Sequence, residues 1–215
     1  MKKRILFVTG LMLLAMSHAF GALYTETFSA VNMTIPDGSP VGVRLSGTVS
    51  DIPSGWTVSG LTVSLNVSGG YNGDLYSYIV APNGTMVVLL NQPGVAVNGF
   101  GAGGAGMNIT LLEGASDHGS IQNETGGSVL SGSYNAVGTL ANFNGSVADG
   151  TWTLFFADLS SGGGTSTLNS WSLGITAVPE PVTTALIIFL GIITSWWLKK
   201  WCTRSASKVK EPTSC

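Results

Sequence analysis

Val58-Ser59-Gly60-Leu61-Thr62-Val63-Ser64-Leu65-Asn66-Val67 sets apolar side chains against Thr, Ser and Asn with a period of two from Leu61 onward. Successive side chains of an extended chain point to opposite faces, so this stretch predicts a half-buried strand with Val58, Leu61, Val63, Leu65 and Val67 inward. Leu75 to Ala81 and Met86 to Leu90 follow as two further strands, joined by Pro82-Asn83-Gly84-Thr85. Proline pre-sets a turn and Asn-Gly accepts positive φ, so the pair predicts a β-hairpin. Farther along, Thr151 to Ala157 and Ser170 to Thr176 predict another strand pair across a loop containing Gly162, Gly163 and Gly164. Weaker strand patterns occupy Glu26 to Thr34, Gly42 to Val49 and Met107 to Leu112.

Between the two ends of the chain, no segment keeps helical periodicity beyond a turn, and Gly/Asn/Ser clusters punctuate it, notably Pro93 to Gly106 and Gly126 to Gly132. Several short strands with frequent turn signals predict an all-β fold, an antiparallel β-sandwich or jelly roll. Trp56, Trp152 and Trp171 lie in or beside strands and are expected to fill its core. No fixed-period repeat is present, which argues against a solenoid or propeller.

The ends carry different instructions. Lys2, Lys3 and Arg4 precede the apolar run Ile5 to Met16, and small residues follow through Ala22. That run is shorter than the ~20 residues a bilayer span needs, so residues 1–22 predict a signal peptide, with cleavage sites after Ala19 and after Ala22, the latter preferred. At the other end residues 182–198 are apolar apart from Thr183, Thr184, Thr194 and Ser195, and Trp196, Trp197 and Trp201 gather at the far edge. Lys199, Lys200 and Arg204 follow as a basic flank. Cations beside a span stay on the cytoplasmic side, so the expectation is a transmembrane helix with a cytoplasmic tail over 199–215. Residues 23–178 would then lie outside as one domain.

That domain is acidic. It holds nine carboxylates and a single base, Arg44, although the whole chain carries a formal net charge of only −2. Nucleic acid is excluded as a partner, because binding phosphates needs Lys and Arg to displace counterions. Both cysteines, Cys202 and Cys215, fall in the tail, so the domain has neither thiol nor disulfide. Two prolines in Pro179-Glu180-Pro181 hold an extended backbone ahead of the apolar segment, the form a processing enzyme takes as substrate.

Two resemblances rest on these residues. Asn72-Gly73-Asp74-Leu75, the strand after it and Ala81-Pro82-Asn83-Gly84-Thr85 resemble the hairpin of the proprotein-convertase P domain. The later half, Asp149-Gly150-Thr151-Trp152-Thr153-Leu154-Phe155-Phe156-Ala157-Asp158, then Leu168-Asn169-Ser170-Trp171-Ser172-Leu173-Gly174-Ile175, is similar to the same family's closing strands. Val178-Pro179-Glu180-Pro181, with the span and the basic cluster, resembles the PEP-CTERM sorting signal over 179–215. This second resemblance implies an exosortase that recognises and processes the tail, after a signal peptidase has acted at the other end. It also implies the surface or matrix of a Gram-negative-type bacterium.

Catalytic chemistry has little to stand on. In convertases the P domain stabilises a subtilisin-like protease of several hundred residues, and this chain has no room for one. His118 is the domain's one histidine, in Ala115-Ser116-Asp117-His118-Gly119, with no G-x-S-x-G elbow elsewhere. One histidine and no cysteine exclude a structural zinc cage. Calcium takes carboxylate and carbonyl oxygens, and Asp74 and Asp158, at matching strand ends, are the candidate ligands. The alternative, which the absence of any EF-hand-like or repeated Asp spacing favours, is that both simply accept backbone N–H bonds in turns. No other cofactor is expected. The composite expectation is a non-enzymatic surface or extracellular-matrix protein with a structural or adhesive role, contacting exopolysaccharide or other surface proteins. Two alternatives stand beside it: a carbohydrate-binding module using Tyr71, Tyr76 and Tyr78, and a hydrolase-type enzyme.

Overall fold

The structure, a computed structural model, describes residues 21–29 and 31–207, and of 181–185 and 202–207 the backbone alone. The signal peptide reading therefore lies almost wholly outside the described residues, as do Cys215 and the end of the tail. Residues Gly21–Val178 form one compact unit, and the chain after it is described separately.

The unit is all-β and built from two sheets. Its strands are β1 (Ala22–Phe28), β2 (Met33–Ile35), β3 (Ser39–Val49), β4 (Trp56–Gly69), β5 (Leu75–Val80), β6 (Met86–Asn91), β7 (Gly106–Leu111), β8 (Leu130–Tyr134), β9 (Gly150–Asp158) and β10 (Ser166–Pro179). One sheet runs β1-β10-β4-β7-β8, with β2 also against β10; the other runs β3-β9-β5-β6. The period-two pattern of β4 does what it predicts: Val58, Leu61, Val63, Leu65 and Val67 are all buried. They join Leu75, Ile79, Trp152, Leu154 and Phe156 from the second sheet in a single apolar cluster.

The β5–β6 hairpin forms as expected. The Ala81 amide donates to the Thr85 carbonyl at 2.9 Å, Asn83 Oδ1 accepts from the Thr85 amide at 3.0 Å, and Gly84 takes φ +86°. A side chain at Gly84 would be strained in that conformation, which glycine adopts freely.

Three expectations are corrected. First, β9 and β10 do not pair; they lie in different sheets. Each buries a dense apolar row, Trp152, Leu154 and Phe156 on one and Leu168, Trp171, Leu173 and Ile175 on the other. Facing one another across a core, both rows leave water, and residues 159–165 are long enough to cross between sheets. Second, the arrangement is not wholly antiparallel, because β7 and β8 pair in parallel from Met107↔Leu130 to Leu111↔Tyr134. Third, the stretch Glu26 to Thr34 is not one strand: β1 begins at Ala22 and ends at Phe28, and β2 starts at Met33. Of the three tryptophans, Trp152 and Trp171 are buried, while Trp56 is half-buried, edge-on to Tyr24 at 6.3 Å.

Beyond the unit a helix spans Pro181–Ser207. Val178 and Pro179 end β10, Glu180 links strand to helix, and Pro181 opens the helix, where its missing amide costs nothing. The tripeptide is therefore only partly extended. Leu186, Phe189, Trp196, Trp197 and Trp201 are exposed, and Lys200 Nζ stands 4.7 Å from the Trp196 ring centre. Among the described residues, no helix is long and apolar enough to cross a membrane; the span expected over 182–198 includes side chains that lie outside the described residues.

Candidate functional site

The candidate calcium ligands Asp74 and Asp158 are brought together by strand register. Asp158 closes β9 and faces Leu75 of β5 on one side and Ser39 of β3 on the other. Asp74 directly precedes Leu75, and Asp37 stands two residues before Ser39. Three carboxylates from three segments thus converge at one end of the four-stranded sheet. The loop after β9 is stitched to all of them. The Leu159 amide donates to the Asp74 carbonyl at 2.9 Å, the Ser160 amide to Asp158 Oδ1 at 3.3 Å, and the Gly162 amide to Asp37 Oδ2 at 3.4 Å.

Asp158 is fully buried, and its Oδ2 has no hydrogen-bond partner. Burial pushes its carboxyl above the usual carboxylate range, and the nearby Asp37 charge pushes the same way. The Ser160 and Gly38 amides oppose that rise, but only the Ser160 contact has good hydrogen-bond geometry. Asp74, half-buried, is raised by burial and then by the charges of Asp158 and Asp37, with the Ser160 hydroxyl opposing. Gly163 lies against this corner: a Cβ there would come within 2.6 Å of Asp74 Oδ2 and 2.5 Å of Tyr71 Cβ. Among the described residues, no group of three or more His, Cys, Asp or Glu side chains is arranged to hold a metal ion.

Asn72, just before this corner, was not singled out by the sequence. It is fully buried, with Nδ2 donating to the Gly106 carbonyl at 2.9 Å and Oδ1 accepting from the Gly106 amide at 3.2 Å. Gly73 docks beside it, its amide on the Ala102 carbonyl at 2.9 Å, where a Cβ would meet Gly101 Cα at 2.8 Å. The Asn-Gly-Asp-Leu motif is thus a backbone knot tying β5 to the loop before β7.

The histidine reading has a different geometry from a hydrolytic triad. Asp117 Oδ2 accepts from both the hydroxyl and the amide of Ser133. His118 stacks on Tyr134 with ring centres 4.6 Å apart. In a triad the carboxylate orients the imidazole and the imidazole accepts from the serine. Here the carboxylate takes the serine directly, which holds its pKa below the ordinary value. A shallow groove of about 320 Å³ on the larger sheet is lined by Ser59, Gly60, Thr62, Gly174, Thr176 and Glu113 among others. Its carboxylate is engaged, since Glu113 Oε1 accepts from the Ala141 amide at 3.0 Å.

Tyr76 and Tyr78 share the outer face of β5 with Phe155 of β9. Tyr78 stacks on Phe155 at 4.7 Å and 16°, and Tyr76 meets both rings edge-on at 6.2 and 6.4 Å. Arg44 Nη2 donates to the Tyr78 hydroxyl at 3.3 Å. Tyr71 lies elsewhere, beside Gly163.

No protein-family model matches the chain, and no curated protein matches it. Solved structures that match the chain at a distance include two from Aeromonas sobria. One is the serine protease of Aeromonas sobria in complex with the chaperone ORF2, at TM-score 0.45 and 16% identity over 79% of this chain. The other is the Aeromonas sobria serine protease alone, at TM-score 0.44 and 16% identity over 72% of this chain. The chain spans less than a third of either, 29% and 27%.

Proposed function

We propose that this chain is a non-catalytic exported protein of the bacterial surface or extracellular matrix, a P-domain-like jelly roll with a structural or adhesive role. Its tail is a PEP-CTERM signal read by an exosortase. The observation that carries this reading is the order of segments: a cysteine-free acidic β unit, then Val178-Pro179-Glu180-Pro181, then a helix with exposed apolar side chains and Lys199 and Lys200 near its end. The membrane span, the cytoplasmic tail with Arg204, and removal of residues 1–22 by signal peptidase belong to the same proposal. Mass mapping of the C-terminus on protein recovered from its native cell surface tests it. A terminus within residues 178–181 is the expected result. An intact Cys215 would make the tail a plain anchor and remove the exosortase.

A second reading, a carbohydrate-binding module, is favoured by the Tyr76, Tyr78 and Phe155 group with Arg44 beside it. Aromatic faces and a cation suit stacking against sugar rings. Tyr78 and Phe155 each spend one ring face on the other, so Tyr76 is the residue left to meet a ligand. Polysaccharide pull-down lost on Tyr76→Ala supports this reading, and unchanged retention of every polysaccharide bound by the parent removes Tyr76 from it.

A further inference from the structure

We infer that the corner formed by Asp74, Asp158 and the Ser160–Gly163 loop is a binding site for a hard divalent cation of the calcium type, with Asp37 as a flanking charge. Two independent observations support it. The first is convergence: the register of β9 between β3 and β5 carries three acids from distant parts of the sequence to one place. The second is the state of Asp158. Its side chain is fully excluded from solvent, and one carboxylate oxygen has no donor.

A carboxylate in that position is costly unless something positive or a proton meets it. The unit has one base, Arg44, and it cannot serve. Arg44 stands opposite Phe155, three residues back along β9, and its guanidinium is turned to Tyr78. Repulsion among Asp37, Asp74 and Asp158 adds to the cost, and a divalent ion would relieve all of it at once.

The donor set suits calcium and not zinc. All nearby side-chain donors are oxygens, with no imidazole or thiolate. Two carboxylates are enough for such an ion when hydroxyl, carbonyl and water oxygens complete its 6–8 ligands. Ser160 and the backbone of a glycine-rich loop supply oxygens of that kind. The site is independent of the sorting reading, since it lies wholly within Gly21–Val178.

The test uses the full chain, stripped with chelator and returned to calcium chloride alone. At about 10 mM calcium and a Kd of ~0.1 mM, the melting temperature is expected to rise by roughly 5–10 °C. Sodium chloride at matched ionic strength is expected not to reproduce that shift. Asp158→Asn and Asp74→Asn are expected to lose most of it. If Asp158→Asn does not fold, Asp74→Asn on the half-buried partner decides the question. Terbium gives a second readout, its emission sensitised by Tyr71 and lowered several-fold in Tyr71→Phe. No calcium shift in the parent chain overturns the inference, leaving a protonated Asp158 as the account of its burial. A shift that persists in the folded Asp variants overturns it equally, because the ion would then bind elsewhere.

Discussion

Asn72 and Gly106 close a ring of two hydrogen bonds, side-chain amide to backbone carbonyl at 2.9 Å and backbone amide to side-chain oxygen at 3.2 Å. Asn72 thereby satisfies both backbone groups of Gly106, which also pairs in register with Ser68 of β4. Truncating it strands a buried donor and a buried acceptor on Gly106. Asn72→Ala is expected to cost about 2–4 kcal/mol by urea denaturation, well beyond an ordinary surface change.

Gly47 has no room for a side chain. A Cβ there would sit 2.2 Å from the Phe28 ring, which is itself stacked on Trp171 at 4.2 Å. Gly47→Ala should destabilise by about 1–3 kcal/mol, the usual cost of overpacking. Adding Phe28→Ala should make the double variant less damaged than the sum of the single ones, because the clash has one partner.

Trp152 is buried edge-on to Phe143 at 5.3 Å, and its Nε1 donates to the Ala148 carbonyl at 3.2 Å. Trp152→Phe keeps an aromatic ring but leaves a void and an unmet carbonyl. The expected loss is about 2–3 kcal/mol, seen as a lower urea midpoint with an unchanged m-value.

Asp117 offers a prediction in pH. Its carboxylate is held below its ordinary pKa by the Ser133 hydroxyl and then by the Ser133 amide. The folded state therefore prefers the charged form. Whatever stability this contributes is complete above the unfolded pKa and fades as pH falls through the lower folded value. NMR titration should place Asp117 below a free aspartate, and Ser133→Ala should move it back up. An Asp117 that titrates normally in the parent chain would mean the Ser133 contact is not held in solution.

The sequence reveals individual strands better than their partners. The alternation from Leu61 to Val67 and the Pro-Asn-Gly turn fix β4 and the β5–β6 hairpin, because one-face burial and turn chemistry are local properties. β8 is hidden, since Leu130-Ser131-Gly132-Ser133-Tyr134 buries only Leu130 and Tyr134 at its two ends. The placement of β9 and β10 in separate sheets is a decision of the core, which no pairwise motif records. The same holds at the acidic corner. Asp74 and Asp158 are visible as strand ends, but Asp37 joins them only through the Ser39↔Asp158 register. Asn72 sits inside a legible motif, yet its partner is 34 residues away.

The last strand also determines how the unit responds to force. β10 ends at Pro179 and runs between β1 and β4, so any pull on the chain beyond Val178 enters along an interior strand. An edge strand tugged crosswise unzips rung by rung. A strand loaded lengthwise between two neighbours must break many rungs together, and here the register from Ala22↔Ala177 to Phe28↔Trp171 takes the load on one flank. A pull on the chain beyond Val178 therefore loads this strand in a shear geometry.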